Sequence, residues 1–109
     1  KKDMIISGGF KVFPAEIERV VSAHPAVALV AVGGMPDEVK GELAKVYVVL
    51  RPGASVSAEE IFAHCRDHLA AYKCPRALQF VSDLPKTSTG KIMRRQLRTL
   101  DGEGKTYDA

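Results

Sequence analysis

The pair Gly8-Gly9 constrains this chain more than any other feature. It is flanked by two β-prone runs, Met4-Ile5-Ile6-Ser7 and Phe10-Lys11-Val12-Phe13. Both glycines can take positive φ, so the two runs are expected to fold back on each other as a tight hairpin. Pro14 stops the second strand and is well placed as the first residue of a helix, because its φ is already helical and it has no N–H to leave unpaired. Ile17, Val20, Val21 and His24 follow at helical spacing, with Glu16 and Glu18 near the positive end of the helix dipole. His24-Pro25 ends that helix.

Beyond it, Val27 to Val32 reads as a short buried strand, punctuated by Gly33-Gly34 and Pro36-Asp37. Leu43 to Leu50 reads as a second strand, ended by Pro52-Gly53. Ser57 caps the next helix, and Glu60 three residues on completes a capping box. The apolar stripe of that helix is Ile61, Phe62, Cys65 and Leu69, continuing to Tyr72, and it reads as core. Lys73-Cys74-Pro75 breaks it. Ala77 to Val81 is a third strand, Asp83 to Gly90 a loop, Ile92 to Leu100 a short basic helix and Asp101 to Ala109 a polar tail. The order predicts a small α+β domain, with an N-terminal β-hairpin and a three-stranded sheet packed against helices. Its parts are a hinge and hairpin over 1–13, a core over 14–82, a loop over 83–91 and a last helix over 92–100, with the tail at 101–109.

Composition supports one globular unit. At 109 residues, folding buries roughly 65% of the chain's surface, enough for a modest core without disulfides or a metal. Hydrophobic residues at 46% and charged residues at 27% exclude a disordered chain. The longest apolar run, Ala26 to Met35, is about half the roughly 20 residues of a membrane span. No stretch has the make-up of a secretion signal, and Cys65 and Cys74 form neither a disulfide scaffold nor a Cys-x-x-Cys pair. A reduced, cytoplasmic setting is therefore expected. The net charge of +3 favours anionic partners without naming them.

The segment Pro85-Lys86-Thr87-Ser88-Thr89-Gly90-Lys91 carries the chemistry. Its three hydroxyls can donate to phosphate oxygens. Gly90 permits positive φ or close approach of a ligand. Lys91 offers a compact ammonium on a long stem, suited to charge growing on a phosphoryl or carboxyl oxygen. It is no Walker loop, which needs Gly where Pro85 stands and Ser or Thr where Ile92 stands. On composition alone the same residues also fit a solvated surface loop.

Pro85-Lys-Thr-Ser-Thr-Gly-Lys-Ile-Met-Arg-Arg95, with Leu97 and Arg98 behind it, resembles the C-terminal signature of the adenylate-forming (AMP-binding) superfamily. That superfamily comprises acyl-CoA synthetases, peptide-synthetase adenylation domains and luciferases. Lys2-Asp3-Met4-Ile5-Ile6-Ser7-Gly8-Gly9, through Val12, Pro14, Glu16, Ile17 and Glu18, resembles the segment where the family's large domain hands over to its small one. Ala71-Tyr72-Lys73-Cys74-Pro75 is similar to the family pattern Tyr-Lys-x-Pro. The matches span nearly the whole chain in the right order, and the opening on Lys1-Lys2-Asp3 suits a piece of something longer.

The resemblance implies a carboxylic acid substrate, Mg²⁺ and ATP held mainly by a large N-terminal domain, and coenzyme A as co-substrate. Lys91 matches the lysine that acts in adenylation, with Thr87 and Gly90 supporting its loop. Lys2, beside Asp3, matches the hinge about which the small domain swings. Gly8 and Gly9 match the hairpin that lines the pantetheine tunnel after the swing, although the glycines also suit the turn alone. Lys40, Tyr72, Lys73 and Arg76 match positions that touch the coenzyme A nucleotide, for which a ring and cations are suited. Lys86, Arg94, Arg95 and Arg98 extend the positive patch, and solvation of the last helix accounts for all four.

The Pro-Lys-Thr form of the loop favours free-standing acyl-CoA synthetases of the fatty-acid–CoA ligase type, whereas peptide-synthetase modules more often read Pro-Leu-Thr. A small basic nucleic-acid-binding module is the alternative from another class. Against it, Phe62 and Phe80 fall on elements apart from the run that holds Phe10 and Phe13, and the four do not form a base-stacking platform. His64 and His68, four apart on one helix, lack a third ligand and read as surface residues rather than a metal site. Cys65 and Cys74 have no base near them in sequence and receive no nucleophilic role.

Overall fold

The computed structural model describes residues 3–109, so the candidate hinge residue Lys2 lies outside the described residues. The hairpin forms as expected. Strands β1 (Ile5–Ser7) and β2 (Phe10–Val12) pair antiparallel with Ile5 opposite Val12 and Ser7 opposite Phe10. Gly8 and Gly9 have φ of 58° and 86°, the double positive φ that a two-residue hairpin of this twist demands. Helix α1 (Pro14–Ser22) begins on Pro14 and buries Pro14, Ile17 and Val21.

Strand β3 (Val27–Asp37) runs five residues past the expected end at Val32. It pairs antiparallel with β4 (Gly41–Leu50) all the way to Asp37 opposite Gly41. Gly33-Gly34 and Pro36 do not break it, for two reasons. Among the described residues β3 pairs only with β4, so Pro36 sits on an edge strand where its missing N–H costs little. A side chain at Gly34 would meet Glu42 Oε2 at 2.6 Å, so the glycine makes room for that carboxylate, which also accepts from the N–H of Ile6. The turn closes on Asp37, whose carboxylate accepts from Val39 N and Lys40 N at 3.1 and 2.8 Å.

Helix α2 (Ala58–His68) starts where the capping signal placed it, and Ser57 Oγ accepts from Glu60 N at 3.0 Å. A short 3-10 turn over Ala71–Lys73 follows, so Tyr72 leaves the apolar stripe and lies exposed. Strand β5 (Ala77–Phe80) then pairs parallel with β4, completing a strand–helix–strand crossover. The expected three strands are β3, β4 and β5. The hairpin and a last strand β6 (Tyr107–Asp108) extend them to a six-stranded sheet.

Strand β4 shows how the layers arise. Ala44, Val46 and Val48 face α1 and α2 and pack in one core with Ile17, Val21, Ile61, Phe62 and Cys65. Tyr47, one step out of phase, faces the other side and packs with Ala31, Leu84 and Leu97. The second face is covered by a 3-10 helix over Arg94–Glu103 in place of the expected helix over 92–100. No helix among the described residues is long and apolar enough to cross a membrane.

Residues 101–109, expected as a polar tail, are folded. β6 pairs antiparallel with β5, and Gln79 Nε2 donates to the Leu100 carbonyl at 2.7 Å. Asp101 Oδ1 accepts from Tyr47 OH at 2.6 Å and from Lys45 Nζ at 3.0 Å, and Lys45 also donates to Thr106 Oγ1. Lys45 sits in the middle of β4 with a side chain only 3% exposed, so Asp101 is what makes its burial tolerable. Burial opposes the charge on Asp101. The hydrogen bonds from Tyr47 and Lys45 outweigh it and hold the carboxyl below the ordinary carboxylate range. Burial, with the same Asp101 bond, pushes the Tyr47 phenol well up.

Asp101→Ala should therefore cost about 3 kcal/mol of stability, because it strands a buried ammonium. Urea denaturation measures this. The pH dependence has a defined sign: the folded chain holds its Asp101 proton less tightly than the unfolded chain. The Asp101 contribution should be complete above an unfolded-state pKa of about 3.9 and vanish as pH falls through the lower folded value. In Asp101→Ala that part of the acid-unfolding slope should be missing.

Candidate functional site

The segment from Pro85 to Met93 closes on itself. Lys86 and Ile92 form an antiparallel bridge, and Met93 N donates to the Pro85 carbonyl at 2.9 Å. Within that frame Thr87 is bonded three times to the far side. Its N–H donates to the Lys91 carbonyl at 2.8 Å, its carbonyl accepts from Gly90 N at 2.9 Å, and its hydroxyl accepts from Lys91 N at 3.1 Å. The Thr87 and Thr89 hydroxyls lie 3.0 Å apart. Gly90 has a φ of 90°, which lets the chain reverse just before Lys91. The backbone of Lys91 is thus held while its side chain is exposed, and its ammonium has no hydrogen-bond or salt-bridge partner among the described residues. Such a loop can present a cation to an anionic ligand without first breaking an internal ion pair.

At the hairpin, Gly8 N donates to the Lys40 carbonyl at 2.9 Å, which docks the turn beside the β3–β4 loop. Apart from the chain neighbours of Gly9, none of the described residues stands within 4 Å of where a side chain would begin there. A cleft of about 100 Å³ opens between the hairpin and the 3-10 turn, with Ser7, Phe10, Lys40, Tyr72 and Arg76 in its lining. Phe10 and Tyr72, both in that lining, stack on each other with ring centroids 4.8 Å apart. Three of the four predicted nucleotide-contacting residues, Lys40, Tyr72 and Arg76, are brought together there. Lys73 is not. Its ammonium pairs with Glu16 at 3.0 Å, and that hydrogen bond raises its pKa above the ordinary lysine range. Ser7 and Phe10 escaped sequence reading; the available signal was an exposed aromatic one residue after the turn. No residue of the loop 85–91 lines this cleft.

The basic residues behind the loop do not all stay in solvent. Lys86 reaches only as far as Asp83 Oδ1, at 3.4 Å, and Arg98 approaches Asp101 at 3.6 Å, while Arg95 is exposed. Arg94 departs from the solvated role expected for all four. Its Nε and one terminal nitrogen donate to the two oxygens of Glu18 at 3.1 and 2.6 Å, and its other terminal nitrogen donates to Asp3. Glu18 also accepts from Val32 N at 2.9 Å. Signal for this cluster was present only as separate charges, since its members stand 76 and 91 residues apart.

Among the described residues no three His, Cys, Asp or Glu side chains converge to hold a metal ion. His68 is exposed, as expected of a surface residue. His64 is half-buried and donates from Nε2 to the Val20 carbonyl at 2.8 Å, tying α2 to α1. Cys65 is buried, and that burial pushes its thiol up to about 12. The Cys74 thiol is likewise raised by burial. Neither is an activated nucleophile.

Residues 16–91 match the family described as AMP-binding enzyme C-terminal domain. A long-chain-fatty-acid–CoA ligase of Yersinia pestis is 49% identical over 109 residues, all of this chain and 19% of that protein. The structure of a Mycobacterium tuberculosis fatty acyl CoA synthetase superposes with a TM-score of 0.85 at 44% identity, over 93% of this chain and 20% of that one. The o-succinylbenzoate CoA synthetase of Bacillus subtilis, solved in complex with its acyl-adenylate intermediate, gives a TM-score of 0.83 at 41% identity, over 88% of this chain and 19% of that one. The chain thus spans about a fifth of the length of these relatives. It belongs to the AMP-binding enzyme C-terminal domain family, the small domain of the CoA ligases.

Proposed function

We propose that this chain is the mobile C-terminal domain of an ATP-dependent, AMP-forming acyl-CoA synthetase, in which Lys91 serves adenylation and the Gly8-Gly9 hairpin serves thioester formation. The observation that carries the reading is the loop closed by Thr87, with an unpaired ammonium at its end. Adenylation requires a carboxylate oxygen to attack the α-phosphorus of ATP, breaking the α–β phosphoanhydride bond and releasing pyrophosphate. Negative charge accumulates on the phosphoryl and carboxyl oxygens as two anions are forced together. A preorganised ammonium at that point stabilises the transition state more than the separated substrates. Magnesium, when bound with ATP, offsets phosphate charge; its ligands would come from ATP and from outside this chain.

In the second half-reaction the thiol of coenzyme A loses its proton, its sulfur attacks the acyl carbon and the C–O bond to AMP breaks. A thin pantetheine arm must reach that carbon. The open space around Gly9 suits its passage, and the cleft lined by Lys40, Arg76 and the Phe10–Tyr72 pair suits an adenine and phosphates at its far end. Lys73, already paired with Glu16, is left out of that contact set. The two tasks fall to different surfaces, so the domain must turn between them about the segment at Lys2-Asp3. The acyl pocket lies in the larger domain that the relatives carry, and the acid activated is set there.

In the intact enzyme Lys91→Ala should slow acyl-adenylate formation by about a hundred- to a thousandfold. Thioester formation from supplied acyl-adenylate should stay near the parent rate. Pyrophosphate release and CoA-thioester formation, measured separately, decide this, and equal loss in both would remove Lys91 from adenylation. Gly9→Val should do the reverse, slowing the thioester step by about tenfold or more while adenylation persists. A side chain there both fills the open space and strains a backbone at positive φ.

A further inference from the structure

We infer that Arg94 is a positioning residue for adenylation, clamping the segment that carries Lys91 to the hinge end of the chain. The inference rests on the role proposed above for Lys91. Arg94 lies three residues after that lysine, directly beyond the closed loop. Its guanidinium spends all three nitrogens on two carboxylates from other parts of the fold. Nε and one terminal nitrogen hold Glu18 of α1, and the other terminal nitrogen holds Asp3, beside the hinge and ahead of β1. Glu18 in turn is fixed to the backbone of β3 through Val32 N.

The two working surfaces differ in how they are joined to the hinge. The Gly8-Gly9 turn follows Asp3 by five residues along a single β-strand, so its position is carried by the chain itself. Lys91 is 88 residues from Asp3 in sequence. Its place relative to the hinge is carried by the packing of Leu84 and Leu97 with Ala31 and Tyr47, by the bonds of Lys45 and Tyr47 to Asp101, and by Arg94. The Asp3 carboxylate is 60% exposed. A pair so solvated restrains less than the better-buried Arg94–Glu18 fork, so Glu18 carries most of the clamp and Asp3 extends it to the hinge end. Only a planar fork can serve Glu18 through two parallel bonds and Asp3 through a third, and a lysine at this position cannot. Loss of the clamp should therefore blur where the Lys91 ammonium arrives, while leaving the hairpin where it was.

The test uses the intact enzyme with Arg94→Gln, Arg94→Lys, Asp3→Asn and the Asp3→Asn/Arg94→Gln pair. Adenylation is read as pyrophosphate release in a single turnover, and the second step as thioester formed from supplied acyl-adenylate. Expected for Arg94→Gln is a fall of about tenfold or more in the adenylation rate, since displacement by an ångström can cost as much. KM for ATP and acid, and the thioester rate, should stay within about twofold of the parent. Asp3→Asn should show a smaller loss of the same kind, and the pair should be no worse than Arg94→Gln alone, because both changes break one unit. Should Arg94→Gln fail to fold, Arg94→Lys, which keeps the charge but not the fork, should give the same split. Equal losses in both half-reactions, an unchanged adenylation rate, or independent effects of the two substitutions would each overturn the inference. Lys91→Ala run alongside separates the two ideas. If it loses adenylation selectively while the Arg94 variants do not, the clamp fails and the role of Lys91 stands. If Lys91→Ala spares adenylation, the role of Lys91 has failed and the clamp with it.

Discussion

Strand β4 is hydrogen-bonded along both edges and buried on both faces, and the other elements take their places from those sides. Its edges receive β3 and β5, and its first residue also meets the end of β1. Its alternation sends Ala44, Val46 and Val48 toward the two helices and Lys45 and Tyr47 toward the C-terminal segment. A strand with two buried faces cannot leave a polar side chain unpaired, so Lys45 demands an anion on the second face. Asp101 meets that demand, and in doing so it draws the 3-10 segment over the sheet. The loop that ends in Lys91 lies immediately before that segment, so its foundation is this buried pair as much as the apolar contacts of Leu84 and Leu97.

The loop itself illustrates how a cationic group can be held at its root and free at its tip. Three bonds to Thr87 and one bridge below them fix the backbone from 86 to 92. None of them engages the ammonium. An exposed lysine pays no desolvation until a ligand arrives, and there is no internal partner to displace when it does. Other cations of the chain are treated differently. Arg94 and Lys73 are each committed to carboxylates of α1, Glu18 and Glu16 respectively. The sequence presents a run of basic residues, and the fold divides them into those spent on architecture and those left for a ligand.

That division marks the limit of what could be read beforehand. The hairpin, the Pro14 start of α1 and the Ser57 cap were legible because their causes are local: positive φ, a missing N–H, a hydroxyl three residues from its donor. A loop over 83–90 ending in Gly-Lys was legible, but its closure through Thr87 and the Lys86–Ile92 bridge was not. The extension of β3 through Gly33-Gly34 was not, because glycines that usually end a strand here make room for Glu42 and Leu97 from distant segments. The same holds for the folded tail, whose polar residues look solvated until Lys45 and Tyr47 are placed beneath them. Arg94 shows it most sharply, since nothing within ten residues of it reveals that Asp3 and Glu18 are its partners.

The long-range nature of these pairs follows from the task proposed for the domain. A body that swings about one end transmits a small looseness near the hinge as a larger displacement at its far surface. A group such as Lys91, remote from the hinge in sequence, is delivered accurately only if the body between is stiff. Local structure alone cannot supply that stiffness, because a hairpin or a single helix connects only its own neighbours. Contacts that tie the first described residue to the segment after the Lys91 loop, and the middle of β4 to the 3-10 segment, join these local elements into one body. The guanidinium of Arg94 and the carboxylate of Asp101 are suited to this because directional, multidentate bonds fix angles as well as distances, which apolar packing does only weakly.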